Sequence, residues 1–310
     1  MVLESIIKPA KMEKHPLKML VVGFFYSSLG LLLALFIFSD YASLAGVFIT
    51  TLPLVIVMIN TVKFEEEKDF EIHKETFLIK EHGKALSMFF FLFMGMVVSY
   101  SFWFTVLPVE YVELFRFQVD IVRSVQSGAA AMGNALNTGN VLNMGNALYG
   151  TNRLETIIVN NFKVLAFCIL FSFLYGAGAI FILTLNASVI GVAVGSRVRE
   201  YLGGFAQGSH ADMMYRYFNS SVSVTFCYMF HGLFEVSAYI VGALAGGIIS
   251  VAVVNHDFRT REFWHIVVDS SDLIVLSLLL LVLGAVIEVY VTPLLCCSAC
   301  LNSFLAGFGL

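Results

Sequence analysis

Lysine all but disappears from this chain after residue 84: nine of its ten lysines precede that point, and Lys163 alone follows it. Charge of either sign is scarce, at 13% of residues, whereas 59% are hydrophobic. A soluble domain carries about 25% charged residues, so the composition excludes that class and indicates a polytopic membrane protein whose main partner is the lipid bilayer. A net charge of -4, with no basic stripe studded with aromatics, excludes a nucleic-acid partner. Cysteine is too rare for a disulfide framework. Cys168 and Cys227 lie in apolar runs, and the Cys296, Cys297 and Cys300 cluster lacks the second Cys or His pair of a zinc site. No metal ion or other cofactor is therefore expected. The first apolar run is too long for the core of a signal peptide, and no small-residue cleavage site follows it.

What the chain does contain is a series of apolar runs. Met19 to Phe38 has about the twenty residues that a hydrocarbon layer of about 30 Å demands, and Leu44 to Val62 returns, with Pro53 permitting a kink. Residues 63–84 invert to a charged stretch with Phe64, Phe70, Phe77 and Leu78 at roughly helical spacing, which predicts an amphipathic cytoplasmic helix. Leu86 to Leu107 is a third span. Residues 108–156 form an extracytoplasmic region with a Gly-Asn-Ala/Val-Leu repeat of period six over Gly133 to Gly150. Ile157 to Leu185 predicts a long, tilted fourth span. Asn186 to Gly195 is too short to cross alone and predicts a re-entrant or interfacial helix; a crossing by Asn186 to Gly203 would make a seventh span and break the charge balance.

A fifth run follows from Ser221 to Val254, with a break or bend expected near His231-Gly232. A polar loop over Asn255 to Ser271 and a sixth run, Leu273 to Val291, complete the set. The fold expected is thus an all-α polytopic transmembrane bundle of about six spans with both termini cytoplasmic. Its parts are 1–107, the loop region 108–156 and the C-terminal three-span part 157–310. That orientation puts twelve basic residues inside and five outside, the sign the positive-inside rule requires.

Ionisable groups in apolar runs are the candidate site, because a central acidic residue costs about 2.5–3.5 kcal/mol on insertion scales. His231 and Glu235 stand one helical turn apart. Measured from the estimated inner ends of the runs, Glu288 lies about 8 Å deep, His231 about 14 Å and Glu235 about 20 Å, with Asn186 near the inner boundary. A polar cluster of His231, Glu235, Glu288 and Asn186 in the inner half of the bilayer is expected. Asn160 and Asn161 fall at the opposite end of the fourth span, away from it.

Four stretches together resemble the stage II sporulation protein M family. They are Ile157-Ile-Val-Asn-Asn161, Asn186-Ala-Ser-Val-Ile-Gly191, His231-Gly-Leu-Phe-Glu235, and Ile287-Glu-Val-Tyr-Val-Thr-Pro293. The resemblance covers about residues 155–295 and marks Asn160, Asn161, Gly191, Gly232, Thr292 and Pro293 as motif positions. Ala187 departs from the glycine usual in the family. The resemblance implies a multi-pass protein of the cell (plasma) membrane. The namesake is a non-catalytic partner of wall hydrolases during engulfment, and relatives occur widely in prokaryotes that form no spores.

Two functions compete. One is a non-catalytic scaffold in envelope remodelling that binds a membrane or envelope protein. The other is a transporter or channel-like protein moving a proton, cation or polar solute through the cluster. An intramembrane hydrolase fits poorly, because His231-x-x-x-Glu235 is not the His-Glu-x-x-His zinc helix and no nucleophile arrangement is recognisable. Small-residue faces at Gly176 to Gly178 and Gly242 to Gly247 predict a homo-oligomer.

Overall fold

The computed structural model describes residues 12–38, 41–71, 75–124, 145–175, 178–203, 210–255 and 260–292. Within them the chain is helical, as a backbone without access to water must be to satisfy its own polar groups. The helices are α1 (Leu17–Ile37), α2 (Ala42–Glu71), α3 (Glu75–Val106), α4 (Gly145–Tyr175), α5 (Ala179–Gly203), α6 (His210–Asn255) and α7 (Arg261–Val286). A 3-10 segment, Val109–Phe115, follows α3, and a single π-helical turn, Ile287–Val291, extends α7. All seven α-helices contain a segment long and apolar enough to cross a membrane.

The bundle is organised around α6, whose membrane segment is largely buried and which packs on α7, α4 and α5. Specific contacts fix the helix directions. Ser28 and Ser99 hydroxyls lie 3.0 Å apart, and a Cβ on Gly95 would meet Leu20, so α1 and α3 run parallel. Thr184 donates to Met96 at 3.7 Å and Gly195 rests on Ser101 and Phe104, so α5 runs parallel to α3. The Asn161 side chain meets Glu235, and farther along both helices Gly242 rests on Leu165 and Gly246 on Ile169, so α4 and α6 are also parallel. By contrast α7 opposes α6, since Gly284 faces Glu235 and Thr292 faces His231.

The all-α bundle is therefore as expected, but the span count rises from about six to seven. Ile157 to Leu185 is not one tilted span. The α4 helix ends at Tyr175 and α5 starts at Ala179, where a Cβ on Gly178 would fall 2.6 Å from the Phe171 carbonyl. The piece after Asn186 is neither re-entrant nor interfacial but the second half of a helix long enough to cross. Arg199 bears this out: its guanidinium donates to the Leu107 and Thr105 carbonyls and lies 5.0 Å from the centroid of the Phe104 ring. The ends of α3 and α5 therefore share one side, and Thr292 lies at the end of the bundle opposite Leu17. The two ends of the described chain are on opposite sides, not both cytoplasmic.

Other boundaries shift too. The charged stretch 63–84 is no separate helix: α2 runs on to Glu71 and α3 begins at Glu75. The expected loop at Asn255 to Ser271 is largely helical, because Thr260 caps α7 by accepting from the Phe263 amide at 3.3 Å. No break marks His231-Gly232, since α6 runs uninterrupted for 46 residues. A lone glycine lowers helix propensity by about 1 kcal/mol without forcing a break. The third repeat copy, from Gly145, opens α4, while the first two copies lie outside the described residues. Gly242 and Gly246 rest on Leu165 and Ile169, and Gly247 on Val62, so these glycines pack α6 against α4 and α2.

The positive-inside rule still favours a cytoplasmic N-terminus in the seven-span arrangement. The nine early lysines, Arg259 and Arg261 make eleven inside, against six arginines outside (Arg116, Arg123, Arg153, Arg197, Arg199 and Arg216). Thr292 then lies on the outer side. A membrane-impermeant thiol reagent applied to intact cells is expected to label Cys296, Cys297 and Cys300 in a chain with Cys168 and Cys227 replaced by serine. Labelling only after permeabilisation would restore an even number of crossings.

Candidate functional site

Glu235 and His231 lie one turn apart on α6, so both face the same neighbours. Opposite them α7 arrives with Gly284, where a Cβ would stand 2.9 Å from the Glu235 Cγ and 3.3 Å from the Phe234 Cβ. Only a residue without a side chain lets the helices approach this closely. One turn beyond Gly284 the ladder widens into the π-turn, within which Thr292 donates to the Ile287 carbonyl at 3.2 Å. Such single π-turns recur at functional sites. This one carries Glu288 to the α6 face, and its carboxylate is in hydrogen-bonding contact with Glu235.

One donor atom from each of His231, Glu235 and Glu288 lies within 4.8 Å of the other two. Two further side chains hold this triangle. The Asn161 amide of α4 donates to Glu235 Oε1 at 2.5 Å, and Thr292 Oγ1 lies 3.3 Å from His231 Nδ1. Tyr239, one turn past Glu235 and buried, is within electrostatic reach of both carboxylates. The three ionisable residues are half-buried, and a Cβ on Gly232 beside them would meet nothing within 4 Å.

Three of the four expected cluster residues are thus brought together and the fourth is not. Asn186 donates to the Ile182 carbonyl of its own helix at 2.9 Å. It was grouped with the cluster on a depth that assumed the fourth span ended beside it. Asn161 was set aside on the same assumption, yet it is the residue that binds Glu235. Reversing the direction of α6 and α7 moves the cluster from the inner half of the bilayer to the other end of the bundle, which the charge count places outside. There it lies level with Asn161.

The remaining motif positions separate by role. Asn160 is exposed. Gly191 is a packing residue, where a Cβ would lie 2.6 Å from the Tyr100 Cβ, and Pro293 lies outside the described residues. The sequence reading missed Gly284 and Tyr239. Their spacing was a usable signal: each is four residues from a carboxylate of the cluster.

The model of the stage II sporulation protein M family matches residues 85–293, which takes in α3 through α7 and every member of the cluster. This extends the resemblance read over residues 155–295 back to the third helix. Neither the curated proteins nor the solved structures offer a match. With two thirds of its length under that family model and helices long and apolar enough to cross a membrane, the chain is an integral membrane protein of the stage II sporulation protein M family.

Proposed function

We propose that this protein is a non-catalytic partner or scaffold in envelope remodelling, seated in the cell membrane, whose polar cluster fixes the outer ends of α4, α6 and α7. The observation that supports this reading is what lies beneath the cluster. From Ile240 to Ala252 the buried side chains of α6 are all apolar: Ile240, Val241, Ala243, Leu244, Ala245, Ile248 and Ala252. They cover about 20 Å of helix, and the Ser172 hydroxyl that α4 brings against them is already committed to the Ala243 carbonyl. A conducted ion or proton needs stepping stones across that depth, whereas a helix clamp needs none.

The transport alternative draws on the half-buried state of the cluster and the open space beside Gly232. Proton and cation flux into liposomes carrying the folded wild type or Glu235→Gln distinguishes the two. The clamp predicts equal background flux from both, with the variant less stable. Flux that the wild type supports and Glu235→Gln abolishes would overturn it in favour of transport.

A further inference from the structure

We propose that His231, Glu235 and Glu288 form a binding site for one divalent first-row metal ion of the zinc class, tying α6 to α7 at the outer end of the bundle. Two carboxyl groups in hydrogen-bonding contact share a proton, and a dication that displaces it would balance both carboxylates beside the imidazole. The donor set fits: imidazole nitrogen with carboxylate oxygens is a combination that zinc and its neighbours accept. The size fits as well. Tetrahedral metal–ligand bonds of about 2.0–2.2 Å hold donors about 3.3–3.6 Å apart, so the 4.8 Å triangle needs to contract by about 1.5 Å at most. Side-chain torsions of two glutamates supply that without moving a helix.

The surroundings have the form that metal sites use to orient their ligands, in which outer partners fix each ligating group. Asn161 holds Glu235 by Oε1, which fixes the carboxylate as an outer partner of a ligating group does. Thr292 Oγ1 lies 3.3 Å from Nδ1 of His231 and so bears on the ring's orientation. Gly284 and the π-turn set the distance and rotation at which Glu288 meets α6. These features come from three helices and converge on one point, which a simple hydrogen-bonded clamp between two helices does not require. An ion would enter from the outer side, where the half-buried cluster lies within about two turns of the start of the α6 membrane segment. The site does not depend on the scaffold reading, since a scaffold or a transporter could each hold an ion there.

The test uses the full chain in detergent micelles, with Cys296, Cys297 and Cys300 replaced by serine so that thiols cannot supply ligands. After chelator stripping, zinc uptake is measured by equilibrium dialysis with elemental analysis, alongside the thermal midpoint. The expected result is one zinc per chain and a midpoint raised by zinc. Affinity should fall at least 10-fold in Thr292→Val and Asn161→Ala, and uptake should be lost in His231→Gln and Glu288→Gln. Each variant is first shown to be folded and monodisperse without metal. Should His231→Gln not fold, the visible spectrum of the cobalt-loaded parent reports coordination, and its change in Thr292→Val reports the histidine's part. Absence of saturable zinc uptake by the parent would overturn the proposal, as would uptake unchanged in folded Glu288→Gln.

Discussion

Gly95→Leu is expected to abolish packing of α1 against α3. A Cβ at Gly95 would stand 2.0 Å from the Leu20 carbonyl oxygen, and one at Gly23 would stand 2.2 Å from the Leu92 carbonyl oxygen. The obstacles are backbone atoms, so no rotamer change relieves them, and the helices would have to separate along their length. Overpacking a core usually costs about 1–3 kcal/mol. A backbone clash at the centre of a helix pair belongs at or beyond the upper end of that range. Reversible unfolding in mixed micelles, followed by circular dichroism, measures the loss. Gly232→Ala supplies the opposite sign: its Cβ meets nothing, and alanine in mid-helix is favoured over glycine by about 1 kcal/mol. A Gly95→Leu protein as stable as the wild type would mean that α1 and α3 do not touch as described.

Asn161→Ala and Glu235→Ala are expected to be strongly coupled. Each alone strands the other's polar group in an apolar setting, and the double variant removes both. Hydrogen bonds to charged groups contribute about 1.5–3 kcal/mol in proteins generally, but interhelical ones in membranes reach only about 1.7. A double-mutant cycle should therefore return about 1–2 kcal/mol. Additive losses would place Asn161 away from Glu235, at the far end of its span.

That pair also shows where the sequence could be read and where it could not. The helices were legible because an apolar run of some twenty residues has one economical structure in lipid. His231 and Glu235 were legible because a turn of helix puts them together whatever surrounds them. Their neighbours depended on direction, and direction hung on one decision at Gly176-Ala-Gly178. Residues 157–203 total 47, about 70 Å of helix, which is too long for one crossing and right for two. Reading 157–185 as one span and the piece from Asn186 as re-entrant or interfacial inverted α6 and α7, put Asn186 in the cluster and took Asn161 out. The π-turn that presents Glu288 has no counterpart in the periodicity of the sequence, because a single widened turn leaves the apolar pattern on either side intact.

The parallel pairing of alternate helices has a consequence for synthesis. The covering partner of α1 is α3, that of α3 is α5, and that of α4 is α6. Gly23 meets residues around Leu92, some seventy positions later in the chain. At about 5–20 residues per second, a ribosome takes on the order of 4–14 s to supply that stretch. During that interval the bare glycine face of α1 waits beside the insertion machinery with only α2 for company. The order of emergence therefore leaves a window, repeated for each alternate pair, in which a chaperone or a neighbouring chain can compete for the same small-residue faces.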